Sequence, residues 1–403
     1  MREMRDSGVE WMGKVPENWN IVALKFLCSM QSGKTLSSEQ ISEEGKYPVY
    51  GGNGLRGYYS EANTFGDYLL VGRQGALCGN VHHVQGEFWA TEHAVVTKCS
   101  VLSDVRYMYY LLLGMNLNQY ASNTAAQPGL AVSQIINVKT CLAPIQEQKL
   151  IAVVLDEKCS QVDALIANVQ AQIEKLKAYK QSLITEVVTK GLDHTVPMKD
   201  SGFEWIGEIP AHWEIKRGKV LFEESDARSA DGSEELLTVS QYTGITPRSQ
   251  KNVNMFEALT LEGYKLCDVG DIAANTMWLW AGAIGVSAYS GVISPSYNVY
   301  RQKAENFVPS YLDCLLRAPM LVQEYASRST GIRASRLRLY PKDFLDIMFP
   351  VPPVDEQQDI MSVLSEKFAA VDKLIAIKKS KIEKLEQYRK SLIYEYVTGK
   401  KEA

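Results

Sequence analysis

Several features that would classify this chain at once are missing from it. No apolar run approaches the roughly 18–20 residues a membrane span requires, and the opening MREMRDSGVEW lacks the apolar centre of a signal peptide. A cytoplasmic protein with no membrane partner is expected. The seven cysteines, Cys28, Cys78, Cys99, Cys141, Cys159, Cys267 and Cys314, are odd in number and form no C-x-x-C pair. That argues against a disulfide framework and a zinc ribbon and fits reduced thiols. A basic excess is lacking too: the net charge is −4, whereas a protein that neutralises nucleic-acid phosphate alone carries a positive footprint. Charge must therefore be sought locally.

Motifs for small-molecule chemistry are incomplete. Gly33-Lys34-Thr35 ends like a phosphate loop, but Cys28 stands where G-x-x-x-x-G-K-[ST] needs glycine, so ATP is not expected on this chain. Ser294-Pro295-Ser296-Tyr297 lacks the second proline of the (N/D/S)PP(Y/F) loop of amino-methyltransferases, and Gly282 to Gly285 lie too close upstream for a methyl-donor fold. Cys78, His82, His83, His93 and Cys99 match no zinc spacing and read as core thiols and surface imidazoles.

What is present is ordinary globular composition, 46% hydrophobic and 22% charged over 403 residues, enough for two or three domains. It is also duplicated. DSGVEWMGKVPENW at 6–19 recurs as DSGFEWIGEIPAHW at 200–213 with 8 of 14 positions identical, an offset of 194. Residues 144–189, beginning PIQEQ, align without a gap to 353–398, beginning PVDEQ, with 24 of 46 identical and an offset of 209. The net 15 extra residues of the second half therefore lie between the repeated segments, which makes that region the variable part.

Both long repeats read as helices. Val162, Ile166, Val169, Ile173, Leu176, Leu183 and Val187 alternate at spacings of 4 and 3, a heptad seam interrupted at Lys180. The second copy places Val371, Ile375, Ile382, Leu385, Leu392 and Tyr396 equivalently, interrupted at Lys378 and at Arg389, which aligns with Lys180. Pro144 and Pro353 precede the helices, and Gly191 and Gly399 follow them. Two short, interrupted seams tethered in one chain pair most simply with each other, antiparallel, in preference to coiled coils between copies.

Residues 20–143 and 214–349 show strand-like runs broken by glycine, as in YLLVGRQGALCGNVHHV at 68–84 and DIAANTMWLWAGAIGVSAYSGV at 271–292, and each closes with a helical stretch, Val105–Leu117 or Ser310–Tyr325. Segment 325–342 carries Arg328, Arg333, Arg336, Arg338 and Lys342 with no acid, a stretch able to track phosphates. Trp11, Trp19, Trp205 and Trp213 read as apolar anchors fixing each domain to the helices.

The order W-x-G-x-x-P-x-x-W, variable domain, P-x-x-EQ-x-x-I and a helix ending E-x-V-T, all duplicated, resembles the specificity subunits of Type I restriction-modification enzymes over essentially the whole chain. YPVYGGNGLRGYY with GRQGALCGNV, and NTMWLWAGAIGVS with SPSYNVY, look like two versions of that family's target-recognition domain. The resemblance implies a mixed α/β fold: two target-recognition domains separated by two long antiparallel helices in an intramolecular coiled coil with pseudo-two-fold symmetry. The corresponding segments are an anchor at 1–19, domain 1 at 20–143, a central helix at 144–190, a linker with second anchor at 191–213, domain 2 at 214–349 and a last helix at 350–403. It further implies a non-catalytic reader of double-stranded DNA, each domain taking one half of an asymmetric bipartite site. The helices would set the spacing and dock two methyltransferase subunits, with restriction subunits outside. S-adenosylmethionine, ATP and Mg belong to those partners, and no metal or cofactor is expected here. A helical spacer from Val162 to Thr189, about 40 Å at ~1.5 Å per residue, matches half-sites about 34–36 Å apart.

Residue types that read base edges nominate Asn53, Arg56, Tyr58, Arg73 and Gln74 in the first domain and Gln241, Tyr242, Arg248, Asn275, Trp278 and Tyr297 in the second, with Arg328, Arg333 and Arg336 nearer phosphates. Two other readings use the same residues: a self-sufficient methyltransferase or nuclease built on the SPSY segment, and a coiled-coil scaffold with two adaptor domains.

Overall fold

The structure, a computed structural model, describes residues 2–75, 78–122, 129–251, 260–331 and 337–403. The chain divides into two compact units, Met1–Gln170 with Lys379–Ala403, and Ala171–Lys378. Each unit holds one variable region and a stretch of both long helices.

Unit 1 opens with a hairpin, β1 (Met4–Asp6) and β2 (Lys14–Pro16), followed by β3 (Asn20–Ala23). Strands β4 (Cys28–Ser32), β5 (Tyr47–Gly51), β6 (Gly54–Tyr59), β7 (Thr64–Gly72), β8 (Val81–Ala90) and β9 (Ala94–Cys99) form one sheet in the order β4-β9-β7-β8-β5-β6. All neighbours are antiparallel except β5 with β8. Alternation along β7 sends Leu69 and Val71 into the main core and Leu70 to a smaller cluster with Val84 and Phe88. Helix α1 (Val105–Gly114) covers the main-core face with Tyr107, Met108, Leu111 and Leu112, and Asp104 caps it by accepting from the Arg106 and Tyr107 amides. Then come α2 (Val132–Ile135), β10 (Lys139–Leu142) pairing with β3, and α3 (Ile145–Lys190), unbroken over 46 residues.

Unit 2 repeats this plan. Its hairpin is β11 (Met198–Asp200) with β12 (Glu208–Pro210), followed by β13 (Glu214–Arg217), α4 (Gly218–Leu221) and β14 (Phe222–Ser225). Next are β15 (Leu237–Ser240), β16 (Gly244–Pro247), β17 (Lys265–Cys267), β18 (Ile272–Ala274), β19 (Ile284–Val286), β20 (Gly291–Ile293) and β21 (Asn298–Gln302). Antiparallel strands in the order β14-β21-β18-β19 reproduce β4-β9-β7-β8, while β15-β16 and β17-β20 form separate pairs. The helical stretch expected over Ser310–Tyr325 is two helices, α5 (Pro309–Leu316) and α6 (Pro319–Arg328). Pro319 is the cause: the residue before a proline is pushed out of the helical region, and Ala318 is extended at ψ 138. Helix α7 (Pro341–Leu345) and β22 (Met348–Val351) pairing with β13 follow, and α8 (Val354–Val397) begins in this unit and ends in unit 1.

The repeated E-Q dipeptides explain how each domain is fixed to its helix. Trp19 and Trp213, fully buried, donate their indole N–H to Oε2 of Glu147 and Glu356, each at 2.9 Å. The next residue, Gln148 or Gln357, is also fully buried. Gln148 accepts from the Asp104 amide and donates to the carbonyls of Leu102 and Ala143; Gln357 accepts from the Val308 amide and donates to those of Asn306 and Pro352. The oxygen and both N–H groups of each glutamine side chain are used, which makes a buried amide tolerable. Trp11 and Trp205, by contrast, are only half-buried. The helix-terminating glycines complete the anchor. Gly399 has φ 70 and a Cβ there would lie 2.3 Å from Pro16 Cγ; Gly191, also at φ 70, would meet Glu356 at 2.7 Å and Trp213 at 3.3 Å.

Within each unit the two long helices run antiparallel. In unit 1 Asp163 pairs with Arg389 at 3.2 Å, and Cys141, just before α3, donates to the carbonyl of Val397 at the other end of α8. In unit 2 Lys180 meets Asp372 at 2.8 Å, and Lys378 donates to Gln172. Asp163 and Lys180 correspond to Asp372 and Arg389 through the 209-residue offset, so the two ion pairs are one interaction repeated. Along the seam Val162, Val169, Ile173, Leu183, Val187, Val371, Leu392 and Tyr396 are buried, and Ile166, Leu176, Ile375, Ile382 and Leu385 are half-buried. The cations that interrupt the heptads each meet an oxygen of the facing helix. Among the described residues no helix is long and apolar enough to cross a membrane.

Candidate nucleic-acid interface

Topological equivalence of the two sheets makes the β7–β8 loop (73–80) the counterpart of the β18–β19 loop (275–283). In unit 1 the described residues of this loop include the polar Arg73, Gln74 and Asn80. Arg73 donates to the Ser32 hydroxyl at 3.3 Å through its guanidinium and to the His93 carbonyl through its amide, while its own carbonyl accepts from the Leu130 amide. Gln74 bridges to Gly129 and stays exposed. The β5–β6 turn abuts the loop, because Gly52 has no side chain: a Cβ there would lie 3.0 Å from the His93 carbonyl oxygen. Asn80 consequently reaches exposed Asn53, donating to its amide oxygen at 3.2 Å. Arg56 is exposed and folds its methylenes over Gly51 with a long contact to Ser38. Asn53, Arg56, Arg73 and Gln74 thus gather at one end of the sheet. Tyr58 does not join them: it sits further along β6, paired through its backbone with Ser42.

In unit 2 the equivalent loop is aromatic. Asn275 is buried; its amide donates to the Tyr297 hydroxyl at 2.8 Å and its oxygen accepts from the Met277 amide. Thr276 donates to the Ser296 carbonyl at 2.7 Å, so the loop is fastened twice to the 294–297 turn. Burial pushes the Tyr297 hydroxyl pKa up, with the Asn275 hydrogen bond opposing, so it stays protonated near neutrality. Trp278 is 48% exposed and stacked on Trp280, with ring centroids 5.7 Å apart and planes 25° apart. Tyr242 is 81% exposed on the β15–β16 turn, where Arg317 holds the carbonyls of Gln241 and Tyr242. Arg248, half-buried, follows β16.

The basic stretch is less free than its sequence implied. Glu324, one residue before it, accepts from Arg328 at 2.5 Å within α6. Arg333 and Arg336 lie outside the described residues, and Arg338 is exposed beside its backbone bridge to Thr330. Residue types alone do not point to Ser32, Asn80, Trp280 and Arg317, which orient the loops: Asn80 and Trp280 stand out only through their place in the two matching loops, and Ser32 on β4 and Arg317 after α5 only through contacts that the fold creates. His83 bonds Asp67 at 2.6 Å, and burial lowers the His82 pKa, keeping it neutral. Among the described residues no group of three or more His, Cys, Asp or Glu is placed to hold a metal.

Comparison with known proteins supplies relatives. The family described as Type I restriction modification DNA specificity domain matches residues 16–177. The EcoprrI specificity subunit, a Type I restriction enzyme subunit of Escherichia coli, is 44% identical over 135 residues, 32% of this chain and 33% of that protein, so the match spans only a third of that relative. The MjaVIII specificity subunit of Methanocaldococcus jannaschii is 24% identical over 420 aligned residues, 96% of this chain and 94% of its own. A chain solved in work on complex assembly and conformational transition of the type I R-M system shares the fold, with a TM-score of 0.66 and 13% identity over 95% of this chain and 98% of that one.

Proposed function

Since the chain belongs to the specificity subunits of Type I restriction-modification enzymes, we propose that it reads double-stranded DNA at a bipartite, asymmetric site, one half per variable domain. The observation that carries this reading is the pairing of one sheet topology with two loop chemistries. Guanidinium and amide groups at Asn53, Arg56, Arg73 and Gln74 suit bidentate hydrogen bonds to purine edges, whereas Trp278 and Tyr242 suit apolar contact. Unlike loops on like frames read unlike half-sites.

The helices set the distance between half-sites and dock two methyltransferase subunits, with restriction subunits joining the assembly. The internal repeat supports two copies of one partner, since Ile145, Leu165 and Tyr179 of α3 are exposed and so are their counterparts Val354, Leu374 and Tyr388 of α8. The chain is the recognition part and performs no chemistry. S-adenosylmethionine, ATP and Mg act on the partner subunits, in the cytoplasm. Footprinting of the chain with its methyltransferase subunits tests this: protection of two separated, unlike half-sites is expected. Sequence-independent binding, or methyl transfer by the isolated chain, overturns it.

A further inference from the structure

We propose that Trp278 stacks on a base of the second half-site that has been opened from its neighbour, so that this half-site is read partly through the ease of unstacking; the inference rests on the DNA-reading function above. Trp280 is fixed by donating its indole N–H to the Met277 carbonyl at 2.9 Å, and it lies against one face of Trp278. Between them Leu279 is fully buried and roots the turn in the core. Behind it Gly282, at φ 86, lets α6 approach until a Cβ would meet Val322 at 3.0 Å. The two hydrogen bonds to Tyr297 and Ser296 close the base of the loop. The indole is therefore held in place before any ligand arrives, and ordering it costs little on binding.

Solvent alone does not explain a fixed, half-exposed indole beside Met277, itself 41% exposed. A polyanion suits this cover: the turn packs on α6, and the segment that follows this helix in the sequence carries exposed Arg338 and Lys342. In a closed duplex each base face is covered by the next pair, so an indole face meets a base face only at an opened step. Pyrimidine–purine steps open most readily, and the second half-site is expected to contain one. Unit 1 has Arg73 and Gln74 in the matching loop and no aromatic at its described positions, so its half-site stays stacked.

The test uses the full chain bound to its methyltransferase subunits and duplexes of its own modified motif, with 2-aminopurine placed in turn at each purine position of both half-sites except the methylated bases. A fluorescence rise at one position of the second half-site is expected, retained in W278F and lost in W278A. Cognate affinity of W278A should fall roughly 5- to 150-fold, the range for loss of one base–aromatic stack, with non-specific affinity unchanged. Wild-type fluorescence and affinity in W278A overturn the proposal while leaving the reading function intact. Loss of methyltransferase assembly in W278A, with DNA contact retained, overturns it in favour of a protein-facing indole. If the unsubstituted complex protects no bipartite site, the underlying function fails instead. Thermal unfolding of W278A and W278F identifies loss of fold.

Discussion

Glu147 and Glu356 each hold a buried indole N–H, and a hydrogen bond to a charged partner contributes about 1.5–3 kcal/mol. W19F keeps most of the apolar contact but removes the donor, so about 2 kcal/mol should be lost from unit 1 alone, and W213F should do the same to unit 2. Two resolved unfolding transitions, only one of which moves in each variant, would verify this; both moving together would refute it. The buried thiols give a pH signature. Burial pushes Cys28, Cys141 and Cys267 up to about 12 from an ordinary 9.0. A raised folded-state pKa means that stability is complete below pH 9 and declines from there toward 12, by up to roughly 1.4 kcal/mol per pH unit for each thiol. Denaturant titrations from pH 7 to 11 should show a plateau and then a fall, and native-state alkylation at pH 8 should spare these three thiols. The E-Q dipeptides stand out in the sequence as repetition, yet their role does not, because Trp19 and Glu147 are 128 residues apart and only the fold brings them together.

Among the elements, the long helices were the most legible, since a heptad pattern over so many residues leaves no competing periodicity. The break at Ala318 was readable from Pro319, but the apolar periodicity across it reads as continuous. Strands such as β17, β18 and β19, three residues each, are too short for alternation to define and are formed by their neighbours. The loop residues were chosen by chemical type alone. That Arg73 and Gln74 share a place with Asn275 and Trp278, in two matching hairpin loops, depends on strand order, which no local pattern encodes. Ion pairs on the helix seam lead to a specific expectation. K180E places like charges against Asp372 and should cost roughly 1 kcal/mol, since partly exposed pairs contribute about 0.2–1 kcal/mol. The reciprocal K180D/D372K chain should regain most of that stability in a double-mutant cycle, with no change in the bases recognised. Additive single effects would show that the pair is not coupled.

For the whole molecule, a duplicated frame carries two unlike variable domains. Exchanging residues 214–349 for the corresponding domain of a relative should alter one half of the recognised site and leave the other half and the spacing unchanged. The most direct measurement is methylation-aware sequencing of DNA from cells expressing the chain with its methyltransferase and restriction subunits. One modified motif made of two unlike specified halves separated by unspecified base pairs is expected. A palindromic or uninterrupted motif, or modification without any motif, would contradict it.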